Sequence, residues 1–196
     1  MELTNEQRQG LNAALSEATC LGIGIDEPGA TFRVDLEVLT LPADGNRRVS
    51  VVLSGVSRIA ASLRTFVWTH EKPDVERLTL AQLPGAVHSF GAAPLHGWEF
   101  IDLPDSGWSR WSELLSLDAH KHIDDAVPHV LEISLEEGPA SPRELDIRVW
   151  FRALHVQDSN GRPLPLERFI DGGRRWWHAH NTGELPAISL DVAPRL

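Results

Sequence analysis

The chain has no tyrosine, one methionine and one cysteine in 196 residues. A lone Cys20 excludes an internal disulfide, so the fold must rest on packing, and a reducing compartment is permitted. Lysine is scarce too: arginine outnumbers it sixteen to two, the bias that a GC-rich bacterial genome produces. No run of about 18 apolar residues exists, which excludes a membrane-spanning helix and removes the membrane as an expected partner. The first ten residues, MELTNEQRQG, hold no basic segment followed by an apolar one. No secretory signal is read there, and a cytoplasmic protein is expected.

Catalytic signatures are also missing. No Gly-x-Ser-x-Gly elbow and no phosphate-binding loop occur. Gly22-Ile23-Gly24 lacks the rest of a dinucleotide fingerprint and the strand before it. Cys20 has no cationic neighbour in sequence to lower its pKa, so it reads as a packed small side chain rather than a nucleophile. No catalytic residue and no cofactor are expected.

What is present is acid. The formal net charge is −10, which argues against nucleic acid as a partner, because phosphate binding rests on Lys and Arg. Between Glu99 and Asp146 twelve carboxylates meet three bases, Arg110, Lys121 and Arg143. Such a stretch either keeps a surface soluble or attracts a cationic protein partner. Hydrophobic content of 42% and charged content of 23% are those of a globular chain. At this length one domain, 1–196, is the economical reading.

Alternation of apolar and polar residues marks two similar strand–turn–strand units within 31–68 and 129–157. In the first, Phe32, Val34, Leu36 and Val38 point one way and Arg33, Asp35 and Glu37 the other. Val49, Val51 and Leu53 continue the alternation, and Gly55 interrupts it as a bulge or close approach does. In the second, Leu131, Ile133 and Leu135 alternate with acids. Leu145, Ile147, Val149 and Phe151 follow after the turn. Leu36-Glu37-Val38 matches Leu131-Glu132-Ile133, and Val49, Val51 and Leu53 match Leu145, Ile147 and Val149. An internal pseudo-repeat is expected.

Helical spacing occurs at both ends. Leu3 to Ala18 carries an apolar stripe, with Thr4 and Gln7 placed for a capping box. Leu166 to His180 carries a second stripe containing Trp176 and Trp177, with Gly172-Gly173 set for close packing. Gly22 to Gly29 reads as a loop. Leu78 and Leu80 fit a short strand, as do Trp98 with Phe100, and Ala187 to Val192. Asp118 to Pro128 reads as a loop. The expected fold is α+β: a mainly antiparallel sheet, or two packed sheets, built from two similar hairpins, with an N-terminal and a C-terminal helix packed on it.

Three groups of residues carry candidate chemistry. In Asp118-Ala119-His120-Lys121-His122-Ile123-Asp124-Asp125, two histidines two apart on an extended segment face one side and can share a metal. Asp118 or Asp124 can supply oxygen or orient an imidazole. His120, His122 and Asp124 partly resemble the His-x-His-x-Asp-His signature of metallo-β-lactamase-type hydrolases. That resemblance implies a metal-dependent hydrolase with these residues at its metal site. The last position departs from the signature, since Asp125 stands there, and no βαβ pattern surrounds it. His178-Ala179-His180 lies on a helix, where residues two apart diverge; one of them is expected against Trp176 or Trp177. Trp98, Trp108 and Trp111 border the acidic stretch, and aromatics beside acids bind sugars or basic peptides or fill the core. Trp150, between Arg148 and Arg152, is placed to be stacked by a guanidinium.

The functional expectation is a non-catalytic binding protein that holds a basic protein partner on an acidic surface. In size, charge and hairpins it resembles toxin-immunity proteins, which implies covering of a basic enzyme. The alternatives are the metal-dependent hydrolase and a small-ligand binder with a pocket under the C-terminal helix.

Overall fold

A computed structural model describes residues 3–28, 30–39, 47–66, 72–101, 111–120, 127–137 and 143–183. The chain enters through helix α1 (Asn5–Leu15). Thr4 accepts from the Gln7 amide, and the Gln7 side chain accepts from the Thr4 amide. This closes the expected capping box, and a cap of this kind is worth about 1 kcal/mol. Gly10, Leu11, Ala14 and Leu15 form its buried face.

The next segment departs from the expected loop. Thr19–Asp26 is strand β1, antiparallel to β2 (Thr31–Glu37) with a register shift between Cys20 and Gly22. Glycine in a strand marks such irregularities, and here it disguised the strand. β3 (Arg48–Ser54) completes a three-stranded run with β2 in the middle. Phe32 faces Leu53, Val34 faces Val51 and Leu36 faces Val49, and all six are fully or almost fully buried. Burying each such side chain contributes about 1.5–3 kcal/mol.

After Ser54 the chain leaves this sheet. Gly55 has φ +65°, and a Cβ there would lie 2.9 Å from the Arg152 Cβ. Both facts require glycine at the crossing. β4 (Arg58–Thr65) then enters a second sheet, where it pairs with β10 (Arg143–Phe151). β5 (Asp74–Glu76), a 3-10 turn over Leu80–Gln82, α2 (Leu83–Ser89), β6 (Ala93–Pro94) and β7 (Gly97–Phe100) follow. Leu80 therefore lies in a turn rather than a strand, while Trp98 and Phe100 lie on a strand as expected. β8 (Leu117–His120) places the start of the expected Asp118–Pro128 loop on a strand edge, paired with β4.

β9 (His129–Glu136) and β10 form the second hairpin, and β11 (Ala153–Asp158) crosses back to pair with β3. Asp158 to Gly161 turns the chain, with the Asp158 carboxylate accepting from the Asn160 and Arg162 amides. β12 (Pro163–Leu164) and α3 (Leu166–Thr182) follow, and Gly183 caps the helix in the left-handed conformation.

The first sheet is ordered β12-β11-β3-β2-β1-β6 and the second β5-β4-β10-β9-β7, with β8 also on β4. The protein is α+β with two antiparallel sheets, whose inner faces contribute to one buried cluster. The connectivity occurs twice. A hairpin (β2-β3, β9-β10) sends its next strand into the opposite sheet (β4, β11), which carries a short strand (β5, β12) and then a helix (α2, α3). The crossings bond each other: the Ser57 amide donates to the Trp150 carbonyl and the Arg152 amide to the Ser54 carbonyl, both at 3.0 Å. With Val51 equated to Ile147, strand pairing equates Phe32, Val34 and Leu36 with Leu131, Ile133 and Leu135. The match of Leu36 to Leu131 was therefore displaced along the strand.

α3 seats chiefly on α1 and places Phe169 and Ile170 in the shared core. A Cβ on Gly173 would lie 2.6 Å from the Ala14 Cα. That position needs glycine for the close approach that its sequence pattern suggested. Trp177 donates to the Ala13 carbonyl at 2.7 Å and Arg174 pairs with Glu6 at 3.1 Å. No helix among the described residues is long and apolar enough to cross a membrane. The expected strand Ala187–Val192 lies outside the described residues.

Candidate functional site

Each strand of the second sheet has one face in the core and one turned away from it. Along β10, Leu145, Ile147 and Val149 are buried inward, so Glu144, Asp146, Arg148 and Trp150 share the outer face. Strand register lines these up in rows. Glu99, Glu132, Arg148, Ala60 and Asp118 form one row across β7, β9, β10, β4 and β8. Ser134, Asp146 and Ser62 form the next, and Glu136, Glu144 and Arg64 the one beyond.

The arginines of this face are locked to its carboxylates. Arg64 donates through Nε and Nη2 to Glu144 at 3.0 and 2.6 Å, and through Nη1 to Asp146 at 2.7 Å. Burial works to lower the Arg64 pKa, but the charges and hydrogen bonds of Asp146 and Glu144 outweigh it and raise it. Ser134 donates to the other oxygen of Asp146 at 2.7 Å. Arg148 donates through Nε to Glu132 at 2.5 Å, and its guanidinium lies 4.2 Å from the centroid of the Trp111 ring. Trp111 lies in a turn over 111–115, its carbonyl accepting from the Leu114 amide at 3.0 Å. Under it Arg148 is only 8% exposed, and its Nη1 is buried without a hydrogen-bond partner.

Trp150 is stacked by a guanidinium from across the sheet, while flanking Arg148 lies on Trp111. One cation over it is Arg58, its cross-strand partner in β4, at 4.6 Å. Arg58 also grips Asp118 with two 2.8 Å bonds. Two clefts flank the Arg148–Glu132 pair. One, of about 400 Å³, is lined by Arg64, Phe66, Pro73, Trp111, Leu114, Asp146 and Arg148. The other, of about 300 Å³, is lined by Asn12, Gly97, Trp98, Glu99, Glu132 and Ser134.

His120, the described member of the metal candidate, ends β8. Its Nε2 lies 3.0 Å from Asp118 Oδ1. Burial works to raise the Asp118 pKa, but hydrogen bonds from Arg58 and His120, with their charges, bring it below the usual carboxylate range. His122 and Asp124 lie outside the described residues. Among the described residues no group of three or more His, Cys, Asp or Glu is placed to hold a metal. A third cleft, of about 170 Å³, lies where the two sheets meet, with His120, Arg58, Asp26 and Thr31 in its wall.

Cys20 is buried as expected, and desolvation pushes its thiol up to about 11. A thiol so buried is a poor nucleophile at neutral pH. His180 stacks on Trp176 with centroids 5.3 Å apart, while His178 is exposed on another face of the helix. Trp98 is a core residue, Trp111 roofs Arg148, and Trp108 lies outside the described residues. The three clefts described above lie away from α3. Arg58 and Arg64 escaped the sequence-based site list, while Trp111 and Arg148 were named there separately and not as the stacked pair they form. The one signal for this group was the parity of Arg148 and the acids around it.

Comparison with protein-family models, curated proteins and solved structures finds no match.

Proposed function

We propose that this is a non-catalytic binding protein that holds a basic protein partner on the outer face of its second sheet. The observation that carries the reading is the charge on that face. On strands β7, β9, β10, β4 and β8, six carboxylates (Glu99, Glu132, Glu136, Glu144, Asp146, Asp118) stand against three arginines (Arg58, Arg64, Arg148). The arginines order the carboxylates without neutralising all of them. Glu99 is exposed and Glu136 keeps 38% of its side-chain surface. A preorganised acidic face selects a cationic surface and speeds its approach. The Cys20 environment supports the non-catalytic half of the reading, since burial suppresses the thiolate. Covering a basic enzyme in the manner of an immunity protein is one form this function takes.

Calorimetric titration with capped oligo-arginine peptides at low salt, about 20 mM, tests the reading. The wild type and Asp26→Asn/Glu37→Gln, changed on the first sheet's outer face, should bind alike. Glu99→Gln/Glu136→Gln should lose most of the affinity, and salt should weaken what remains. Equal binding by both double variants, or none by the wild type, overturns the assignment.

A further inference from the structure

We infer that the cleft beneath Trp111 is a peptide-binding pocket, taking an apolar side chain of an extended segment while Arg148 Nη1 donates to that segment's backbone carbonyl. This rests on the reading of the face as the docking surface for a basic partner and names the part of the partner that enters it.

The starting point is a nitrogen without an acceptor. Arg148 spends Nε on Glu132 and stacks on Trp111, yet Nη1 is buried with no partner. Buried polar groups are nearly always hydrogen-bonded, and one that is not calls for an explanation, which an acceptor entering the adjoining cleft would supply. Arg148 lines the 400 Å³ cleft, a volume at the small end of ligand pockets. The cleft's walls are apolar: Phe66, Pro73, Trp111 and Leu114. Phe66 is the one exposed large hydrophobic residue among those described, at 41%.

Charge decides what kind of acceptor fits. Arg64 and Arg148 bring two positive charges, while Asp146, Glu144 and Glu132, each bonded to one of them, bring three negative ones. A carboxylate or phosphate entering here meets a net negative surround. A neutral amide carbonyl does not, and a basic side chain next to it in sequence gains from the same carboxylates. An apolar residue beside arginine or lysine, in an extended chain, meets all three requirements: walls, donor and acidic rim. Nη1 is closed to water, so side chains around it must shift to admit the carbonyl, and Trp111 lies on the same guanidinium. Binding therefore registers on the Trp111 indole.

The test uses two capped tripeptide amides, arginine-leucine-arginine and arginine-serine-arginine, followed through the indole N–H signals of the ¹⁵N-labelled protein. The leucine peptide should shift the Trp111 signal and the serine peptide should not. Affinity for the leucine peptide should fall on the order of tenfold in Phe66→Ala, a change at an exposed position with little folding risk. Arg148→Lys, which keeps the charge but has no second donor nitrogen to reach a carbonyl while another holds Glu132, should lower it as well. Equal affinity for both peptides, lost only in Glu99→Gln/Glu136→Gln, overturns the pocket and leaves the acidic docking face standing. A Trp111 shift unchanged in that double variant supports the pocket and removes the face. Binding by neither peptide removes the pocket and the face together.

Discussion

The two hairpins carry the same apolar inner face and different outer faces. Val34 faces Val51 in the first sheet as Ile133 faces Ile147 in the second, and all four are buried. One outer row is also shared. In the first sheet Ser50 donates to Asp35 at 2.6 Å; in the second Ser134 donates to Asp146 at 2.7 Å. Serine and aspartate stand on opposite strands in the two hairpins, and the cross-strand bond occurs in both. The adjacent row differs. Arg33 and half-buried Val52 occupy it in the first sheet, and Glu132 and buried Arg148 in the second. On β1, β2, β3 and β11 of the first sheet, Asp26, Asp35 and Glu37 face Arg33 and Arg48, close to balance. The second sheet has an excess of acid and a roof over its arginine. The shared inner face shows what the fold requires of both hairpins, and the outer row is where they differ.

Replacing the divergent pair is the strongest way to break this comparison. Arg148→Ala removes the partner of Glu132 and the cation under Trp111, and leaves space in a buried site. Breaking a buried ion pair costs about 3–5 kcal/mol. Glu132 retains 26% of its side-chain surface, so about 2–3 kcal/mol is expected here. Val52→Ala, at the equivalent place in the first sheet, removes two methyl groups from a half-buried side chain and should cost about 1 kcal/mol or less. Urea denaturation of both variants measures the gap. Equal losses would mean that the ion-pair network is decoration and the two outer faces are energetically alike.

How much of this was legible in the sequence follows from the range of the forces involved. Alternation and capping are local. β2, β3, β7, β9, β10 and α1 therefore show themselves in short windows, and so does the end of α3 at Gly183. β1 did not, because Gly22 and Gly24 hide its pattern and a register shift breaks it. α2 is seven residues long and follows a 3-10 turn, too short for its periodicity to stand out. The crossing of β4 into the second sheet was also hidden, since nothing near Gly55 names β10 as the partner. The site shares that difficulty. Arg64 and Glu144 lie 80 residues apart, and Trp111 meets Arg148 only after the sheet has formed. Side chains on one strand can be assigned a face from sequence, but the neighbours across that face come from the topology.

The row that the two hairpins share gives a finer test. Ser50→Ala and Ser134→Ala each delete one hydrogen bond to a carboxylate in a partly buried row, and each should cost about 1 kcal/mol. The comparison predicts equality within about 0.5 kcal/mol, because the rows occupy equivalent places. Asp146 also has Arg64 and Asp35 also has Arg33, so neither acceptor is left without a donor. A difference as large as that between Arg148→Ala and Val52→Ala would show that this row too differs between the hairpins.

The smallest effect separates the two faces by the source of their electrostatics. Asp118 on the second sheet and Asp158 at the end of β11 in the first both have pKa values below the usual carboxylate range. For Asp118, burial works upward, and the lowering comes from Arg58 and His120 side chains. For Asp158 the largest cause is a backbone amide, that of Arg162, with Asn160 adding a second. A folded-state pKa below the unfolded value of about 3.9 stabilises the fold above that pH, and the gain is lost as pH falls through the folded value. Both Asp118→Asn and Asp158→Asn should therefore lose stability at neutral pH and converge on the wild type in acid. Salt distinguishes them. Screening weakens a partly exposed ion pair and barely touches a hydrogen bond to a backbone amide within a turn. The Asp118→Asn deficit, followed by thermal unfolding from about pH 2 to 7, should shrink with added salt, and the Asp158→Asn deficit should not. Matching salt responses would place both carboxylates under the same kind of force. The contrast between a turn held by its backbone and a face held by its side-chain charges would then be lost.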